Sequence, residues 1–230
     1  MPYIWDEIWR RDPYADPDDR RKRAALRTSA IDRLLEGRTQ LGRVLELGCG
    51  DGSFAASVAV QPQWRLSNYL GIDRSSTAID RAKKQPVPSE TYSFQAGDIE
   101  TLQFTGREVD TFFALGVLEH IEDAGAVLRN IASAGNPGSR LIISTSNTLS
   151  LMFVDRLVRE ARRTWPYGYQ RNYKPRELTC LLHPHFTIRA MTVVQEDWRY
   201  LGSAIVDRIG HVFNRSVGRY LLAVAELNQA

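Results

Sequence analysis

The chain has 230 residues, 43% hydrophobic and 25% charged, with Lys+Arg 30 against Asp+Glu 27 and a formal charge of +3. That length fits one large domain, or one domain with an embellishment, and a core that needs no disulfide or metal. The balance excludes a disordered or collagen-like chain and is too near neutral to imply a nucleic-acid footprint, while two cysteines, Cys49 and Cys180, are too few for a disulfide framework.

The N-terminus carries Asp6 and Glu7 and no apolar run of the signal-peptide kind. No stretch approaches the roughly 20 apolar residues that span a bilayer, so a cytoplasmic protein is expected. Residues 1–42 read as a helical cap. Pro13 and Pro17 break its first part. Residues 18–35 then run without a breaker, Leu26, Ala30, Ile31, Leu34 and Leu35 make one apolar face, and Gly37 fits the helix end. The aromatics Tyr3, Trp5, Trp9 and Tyr14 could equally close over a ligand, pack on the sheet or meet a second copy.

From Arg43 the pattern alternates between short apolar runs and helical stretches. Strands are expected at 44–47, 69–72, 92–95, 109–115 and 140–144, with helices at 53–60, 76–84 and 123–134 and a turn at Asn136-Pro137-Gly138. This βαβα order implies a parallel sheet covered on both faces, with right-handed crossovers. Beyond it lie an amphipathic basic helix at 149–163, an aromatic loop at 165–169, a helix at 175–182 opening on Pro175, and strand-like runs at 186–194 and 220–227 joined by an amphipathic stretch at 205–213.

Ligands of such sheets sit beyond the carboxyl ends of the strands, where strand order reverses. Glu46-Leu47-Gly48-Cys49-Gly50-Asp51-Gly52 falls there. A dinucleotide loop needs G-x-G-x-x-G, to bring a pyrophosphate against a helix N-terminus. Here Ser53 holds the sixth place, and Glu46 and Asp51 flank the loop. Carboxylates repel a pyrophosphate but suit a ligand with an ammonium group, and S-adenosylmethionine (SAM) fits. Asp73, after the second strand, can accept both ribose hydroxyls, with Arg74 beside it in the cofactor set. Asp98 can accept from the adenine amino group while Ile99 packs against the ring. Leu115 and Gly116 end the fourth strand, where glycine allows close approach to the methionine part. Cys49, inside the loop, reads as packing rather than nucleophilic chemistry.

Residues 43–147 resemble the core of a class I SAM-dependent methyltransferase, close to the branch that includes the ubiquinone and menaquinone methyltransferases. The resemblance rests on Val44-Leu45-Glu46-Leu47-Gly48-Cys49-Gly50-Asp51-Gly52, Gly71-Ile72-Asp73, Gly97-Asp98-Ile99, Leu118-Glu119-His120-Ile121-Glu122-Asp123 and Ile142-Ile143-Ser144-Thr145-Ser146-Asn147. It departs at Ser146, where relatives often have Pro, and it extends weakly to Tyr173–Thr179. It implies an α/β, Rossmann-like doubly wound seven-strand sheet with the last strand antiparallel. A helical lid between strands five and six, about 148–176, would sit within a methyltransferase domain at 43–230.

Residues 1–40 and 148–170 lie outside the resemblance and are expected to choose the acceptor. His120, just past the fourth strand, is the candidate base, against a reading in which it only orders the following turn. Glu119, His120, Tyr167, Tyr169, Arg171 and Tyr173 are the candidate acceptor-binding residues. No metal is expected, because Glu119, His120, Glu122 and Asp123 are sequence neighbours pointing different ways. His183 and His185 read as turn residues. The stretch 155–176 carries seven basic residues and two acids with aromatics interleaved, read as a solvated helix face or as a grip on a carboxylate or phosphate. The expected activity is methyl transfer to an oxygen or nitrogen of a small-molecule acceptor, by a monomer or homodimer without nucleic acid. The alternatives are an RNA or protein methyltransferase, or a SAM-binding scaffold without turnover.

Overall fold

A computed structural model describes residues 4–11, 16–103, 108–195, 209–212 and 214–228. Helix α1 (Ile4–Arg11) precedes α2 (Pro17–Leu35), whose start is fixed by Asp16 accepting from the Asp18 N–H at 2.9 Å and by proline in the first turn. It ends where Glu36 and Gly37 take positive φ. The remaining elements are β1 (Gln40–Leu47), α3 (Ser53–Ala59), β2 (Arg65–Asp73), α4 (Ser76–Ala82), β3 (Tyr92–Ala96), β4 (Val109–Leu115), a single 3₁₀ turn (Leu118–His120), α5 (Ala124–Ala134), β5 (Gly135–Ser146), α6 (Leu151–Ala161), α7 (Pro175–Leu182), β6 (Phe186–Val194) and β7 (Tyr220–Leu227). Tyr3, Pro13, Tyr14 and most of the stretch expected at 205–213 lie outside the described residues.

The seven strands form one sheet in the order β3-β2-β1-β4-β5-β7-β6. β1 to β5 pair in parallel, and β7 runs antiparallel between β5 and β6. Strand order reverses between β1 and β4, so the crevice at their carboxyl ends lies next to the glycine loop. Both faces are dry because alternate residues of the central strands point to opposite sides. Leu45, Leu47, Phe112 and Ala114 pack under α5 and α7, where Leu128 and Leu178 are fully buried. Val44, Phe113 and Leu115 pack under α2, α3 and α4 with Ile31, Phe54 and Ile79. Phe113 meets Phe54 edge-on at 5.0 Å and stacks on Trp64 at 6.3 Å. Truncating such a ring to Ala costs about 3–5 kcal/mol.

Three strands differ from the sequence expectation. β2 begins at Arg65 rather than 69, its added residues pairing with the early part of β1. β1 begins at Gln40 rather than 44, because the register slips around Gly42, at φ +64°, and lets a bulged, less apolar end join the ladder. β5 begins at Gly135, so the Asn136-Pro137-Gly138 turn lies inside the strand's span, with an irregular register opposite Val109 and Thr111. Among the described residues, no helix is long and apolar enough to cross a membrane.

Candidate active site

The loop after β1 turns on Gly48 and Gly50, at φ +66° and +53°. A side chain at Gly48 would collide with Val117, and one at Gly50 with the Trp9 ring. The loop is thus shaped by backbone conformation and by close neighbours on two sides. It borders a cavity of about 340 Å³, within the range of small-molecule sites. Gly48, Cys49, Gly50, Asp73, Ile99, Leu115 and Gly116 all line it. Gly116 has φ +78°, and nothing but the far Glu119 carboxyl lies near the position of its missing Cβ.

Asp73 is held by the backbone. Its Oδ2 accepts from the Gly50 N–H and its Oδ1 from the Ser75 N–H, each at 2.9 Å. Each carboxylate oxygen has two lone pairs, so one acceptor site remains on each. Burial raises the Asp73 pKa, against the pull of those two N–H donors. Glu46 sits on the cavity floor with 3% exposure. Burial pushes its pKa up to about 8, and the Tyr69 hydroxyl, donating to Oε2 at 2.7 Å, pulls the other way. Asp51 is ion-paired with Arg20 Nε at 2.8 Å. The two acids flanking the loop are therefore muted, one by burial and one by pairing. Burial also drives the Cys49 thiol pKa far upward, so the side chain packs rather than reacts.

Arg74 lines the cavity as expected, but it pairs with Asp98. Arg74 Nη2 binds Asp98 Oδ2 at 2.5 Å and Glu100 Oε1 at 2.8 Å. The other Asp98 oxygen accepts from the Glu100 N–H at 3.0 Å. Arg74, Ile99 and Glu100 line the cavity and Asp98 does not.

Helix α1 roofs the crevice with Trp5 and Trp9. It is tied down by Asp6, which accepts from Ser75 Oγ at 2.6 Å and from the Thr77 N–H at 3.3 Å. The Ser75 hydrogen bond holds the Asp6 carboxyl below its usual range. Trp5 meets the His120 ring edge-on at 4.8 Å and stacks with Tyr167 at 6.3 Å, and Trp165 meets Tyr167 edge-on at 5.1 Å.

His120 lines the cavity, and its Nδ1 lies 3.0 Å from the Tyr169 carbonyl. A carbonyl only accepts, so Nδ1 carries the proton and Nε2 of the neutral ring carries a lone pair. Among the described residues, no group of three or more potential metal ligands is gathered.

The lid sorts its residues by parity. The Tyr169 carbonyl, the Arg171 N–H (to Glu119 O, 2.7 Å) and the Tyr173 N–H (to Ser146 O, 2.9 Å) dock the segment by backbone. Gln170 and Asn172 line the cavity, whereas Tyr169, Arg171 and Tyr173 do not. Tyr169 and Arg171 are exposed, Tyr173 is buried in the core, and Arg171 stacks over the Tyr173 ring at 5.1 Å. Gly168, at φ +65°, reverses the alternation, so Tyr167 on its other side faces in. His183 and His185 belong to the turn after α7, away from the crevice.

A family model described as a methyltransferase domain matches residues 39–196. The chain belongs to that family. It is 30% identical over 105 residues to the ubiquinone biosynthesis O-methyltransferase of Coxiella burnetii, which covers 45% of this chain and 43% of that protein. It is 29% identical over 126 residues to a malonyl-[acyl-carrier protein] O-methyltransferase of Xylella fastidiosa, covering 53% and 42%. The matched segment thus spans less than half the length of these curated relatives. Among solved structures, a SAM-dependent methyltransferase from Thermotoga maritima superposes with TM-score 0.67 at 18% identity, covering all of both chains. The N-methyltransferase NodS of Bradyrhizobium japonicum, solved with S-adenosylhomocysteine, gives 0.63 at 21%, covering 97% of this chain and 93% of that one. The fold is that of the class I SAM-dependent methyltransferases, with β7 antiparallel in the sheet as the resemblance implied.

Proposed function

We propose that this chain transfers a methyl group from SAM to an oxygen or nitrogen of a small-molecule acceptor. The observation that carries the reading is the Asp73 carboxylate, fixed by two backbone donors with one acceptor site spare on each oxygen, beside a glycine loop that excludes side chains. Two vicinal hydroxyls of a ribose match that pair of acceptors. Ile99 offers an apolar face for a base, and Gly116 a place where a chain can lie against backbone. The names of the curated relatives, both O-methyltransferases, support an oxygen acceptor. A structural neighbour is a [4+2]-cyclase, at TM-score 0.62 and 18% identity, so fold alone leaves the reaction open.

Bound SAM supplies a methyl group already activated on a sulfonium, and in-line displacement breaks the S–CH₃ bond as the acceptor's lone pair forms the new one. The chain's own work is alignment and exclusion of water. Trp5, Trp9 and Tyr167 wall the crevice from solvent. His120 Nε2, its tautomer fixed by the Tyr169 carbonyl, can take the proton of an acceptor hydroxyl as the new bond forms. The cap at 1–42 and the lid at about 148–176 would define the acceptor space. Calorimetry with SAM and S-adenosylhomocysteine tests the reading. Binding of both is expected, and binding of neither rejects it.

A further inference from the structure

Three residues that line the cavity each carry a buried polar atom with no hydrogen-bond partner: Arg156 Nε, Trp165 Nε1 and Glu119 Oε2. Arg156 is 7% exposed and Glu119 2%. A buried guanidinium N–H or carboxyl oxygen without a partner is costly and rare, and a role in binding or catalysis is one reason a fold keeps it. A hydrogen-bonded chain joins Arg156 to Glu119. Arg156 Nη1 donates to the Gln170 carbonyl, Gln170 Nε2 donates to Ser146 Oγ at 3.1 Å, and Ser146 Oγ donates to Glu119 Oε1 at 3.1 Å. The Ser146 N–H also donates to Glu119 Oε1, at 3.2 Å. Arg156 and Glu119 are therefore tied together through Gln170 and Ser146, with an unmatched N–H left on Arg156 and an unmatched oxygen on Glu119.

The other lid cations are placed differently. Arg159 is paired with Asp155 at 2.8 Å, and Arg162 and Arg163 are exposed. Arg156 alone of the four lines the cavity. Glu160, 3.4 Å from its Nη1, is itself 38% exposed and leaves the Nε side unmatched. The Trp5 and Tyr167 rings line the same cavity and stack on each other at 6.3 Å.

We propose that the acceptor is a small aromatic acid. Its carboxylate is held by Arg156 Nε and the Trp165 indole N–H, its ring lies against Trp5 and Tyr167, and its reacting hydroxyl or amino group faces the Glu119–His120 turn, where His120 takes the proton. A carboxylate is favoured over a phosphate because one guanidinium edge and a neutral N–H match a single negative charge, and two carboxyl groups, Glu119 and Glu160, are close by. This substrate class rests on the methyltransferase reading of the same crevice.

The test uses the full chain saturated with S-adenosylhomocysteine, so cofactor binding is scored first and separately. The probes are 4-hydroxybenzoate, 4-hydroxyphenylacetate and 4-aminobenzoate, each against its methyl ester, with 4-hydroxyphenyl phosphate as the dianionic arm. At least one acid is expected to bind 10-fold or more tightly than its ester by calorimetry. R156Q should reduce that preference to within 2-fold while S-adenosylhomocysteine affinity stays within 3-fold of wild type, and R156K should retain part of it. If S-adenosylhomocysteine binds but no acid exceeds its ester, the substrate class is wrong and the methyltransferase reading stands. Tighter binding of the phosphate than of every acid overturns the carboxylate assignment. If wild type ignores S-adenosylhomocysteine, the underlying function is what fails. A misfolded R156Q leaves the wild-type acid-to-ester comparison decisive.

Discussion

The Tyr69 hydroxyl donates to Glu46 Oε2 at 2.7 Å beneath the cofactor crevice, and the two side chains are 0% and 3% exposed. Glu46 therefore keeps its proton until about pH 8 in the free protein, because burial and the nearby Asp73 charge outweigh the Tyr69 hydrogen bond. Its ordinary value is 4.5. The unfolded chain thus releases this proton earlier than the folded one. Its contribution to stability is whole below pH 4.5 and declines as pH rises to about 8. An ammonium group bound beside Glu46 favours the ionised form. Under the proposed function, S-adenosylhomocysteine binding should release a proton below about pH 8, and affinity should climb with rising pH and level off above about pH 8. E46Q should flatten that climb. Calorimetry in buffers of different ionisation heat reads the proton directly, and identical heats in all buffers would contradict the assignment.

Asp73 links loop geometry to cofactor affinity, since the carboxylate that faces the crevice also anchors the Gly50 and Ser75 N–H groups. Asp73→Ala removes two charge-assisted ligand hydrogen bonds at about 1.5–3 kcal/mol each, roughly 10–150-fold in affinity apiece. A loss of about 100-fold or more for SAM is expected, with a lower Tm because two backbone donors lose their acceptor. D73N, which keeps one oxygen, should fall between wild type and D73A in both measurements. Unchanged SAM affinity in D73A would place the ribose elsewhere.

The sheet and the glycine loop were legible because each demands a rare local chemistry. Runs such as Phe112–Leu115 are buried on both faces and read as continuous apolar strands, and Gly48 and Gly50 occupy backbone conformations that other residues resist. The segment 148–176 was legible only in its composition. Its composition announced Arg and Tyr, but the choice of Gln170 and Asn172 over Tyr169, Arg171 and Tyr173 follows from the parity reversal at Gly168, a single positive φ. Arg156 could not be told from Arg159, Arg162 and Arg163, because helical period gives a face without saying what that face meets. Asp98 was assigned from its place after β3, and its capture by Arg74 requires two loops to be seen together.

His120 carries the proton-transfer step of the proposal. His120→Ala should lower kcat for a hydroxyl acceptor by about 10²–10⁴-fold, the usual worth of a positioned base. S-adenosylhomocysteine affinity should be little changed, because the ring meets Trp5 and the lid backbone rather than the glycine loop. Activity within 2-fold of wild type would assign His120 to ordering the Leu118–His120 turn.

Helix α1 is too short to persist alone, so its place over the crevice must come from docking. Asp6 meets Ser75, itself the cap of α4, and the Thr77 N–H in the first turn of that helix, where partial positive charge favours a carboxylate. Trp9 lies over Gly50, with the Arg81 guanidinium 5.9 Å from its ring centroid. Asp6→Ala should therefore free the roof and speed S-adenosylhomocysteine release by about 10-fold, which corresponds to about 1.4 kcal/mol. Stopped-flow tryptophan fluorescence reads this with Trp5 and Trp9 intact. Because the Ser75 hydrogen bond depresses the Asp6 pKa, the latch is whole above the ordinary 3.8 and is lost only as pH falls through the lower folded value. Wild-type release should be flat above pH 3.8 and quicken only as pH falls below it, whereas the variant shows no such acid step. Equal release rates in the two proteins at neutral pH would make α1 a packing element that the cofactor passes freely.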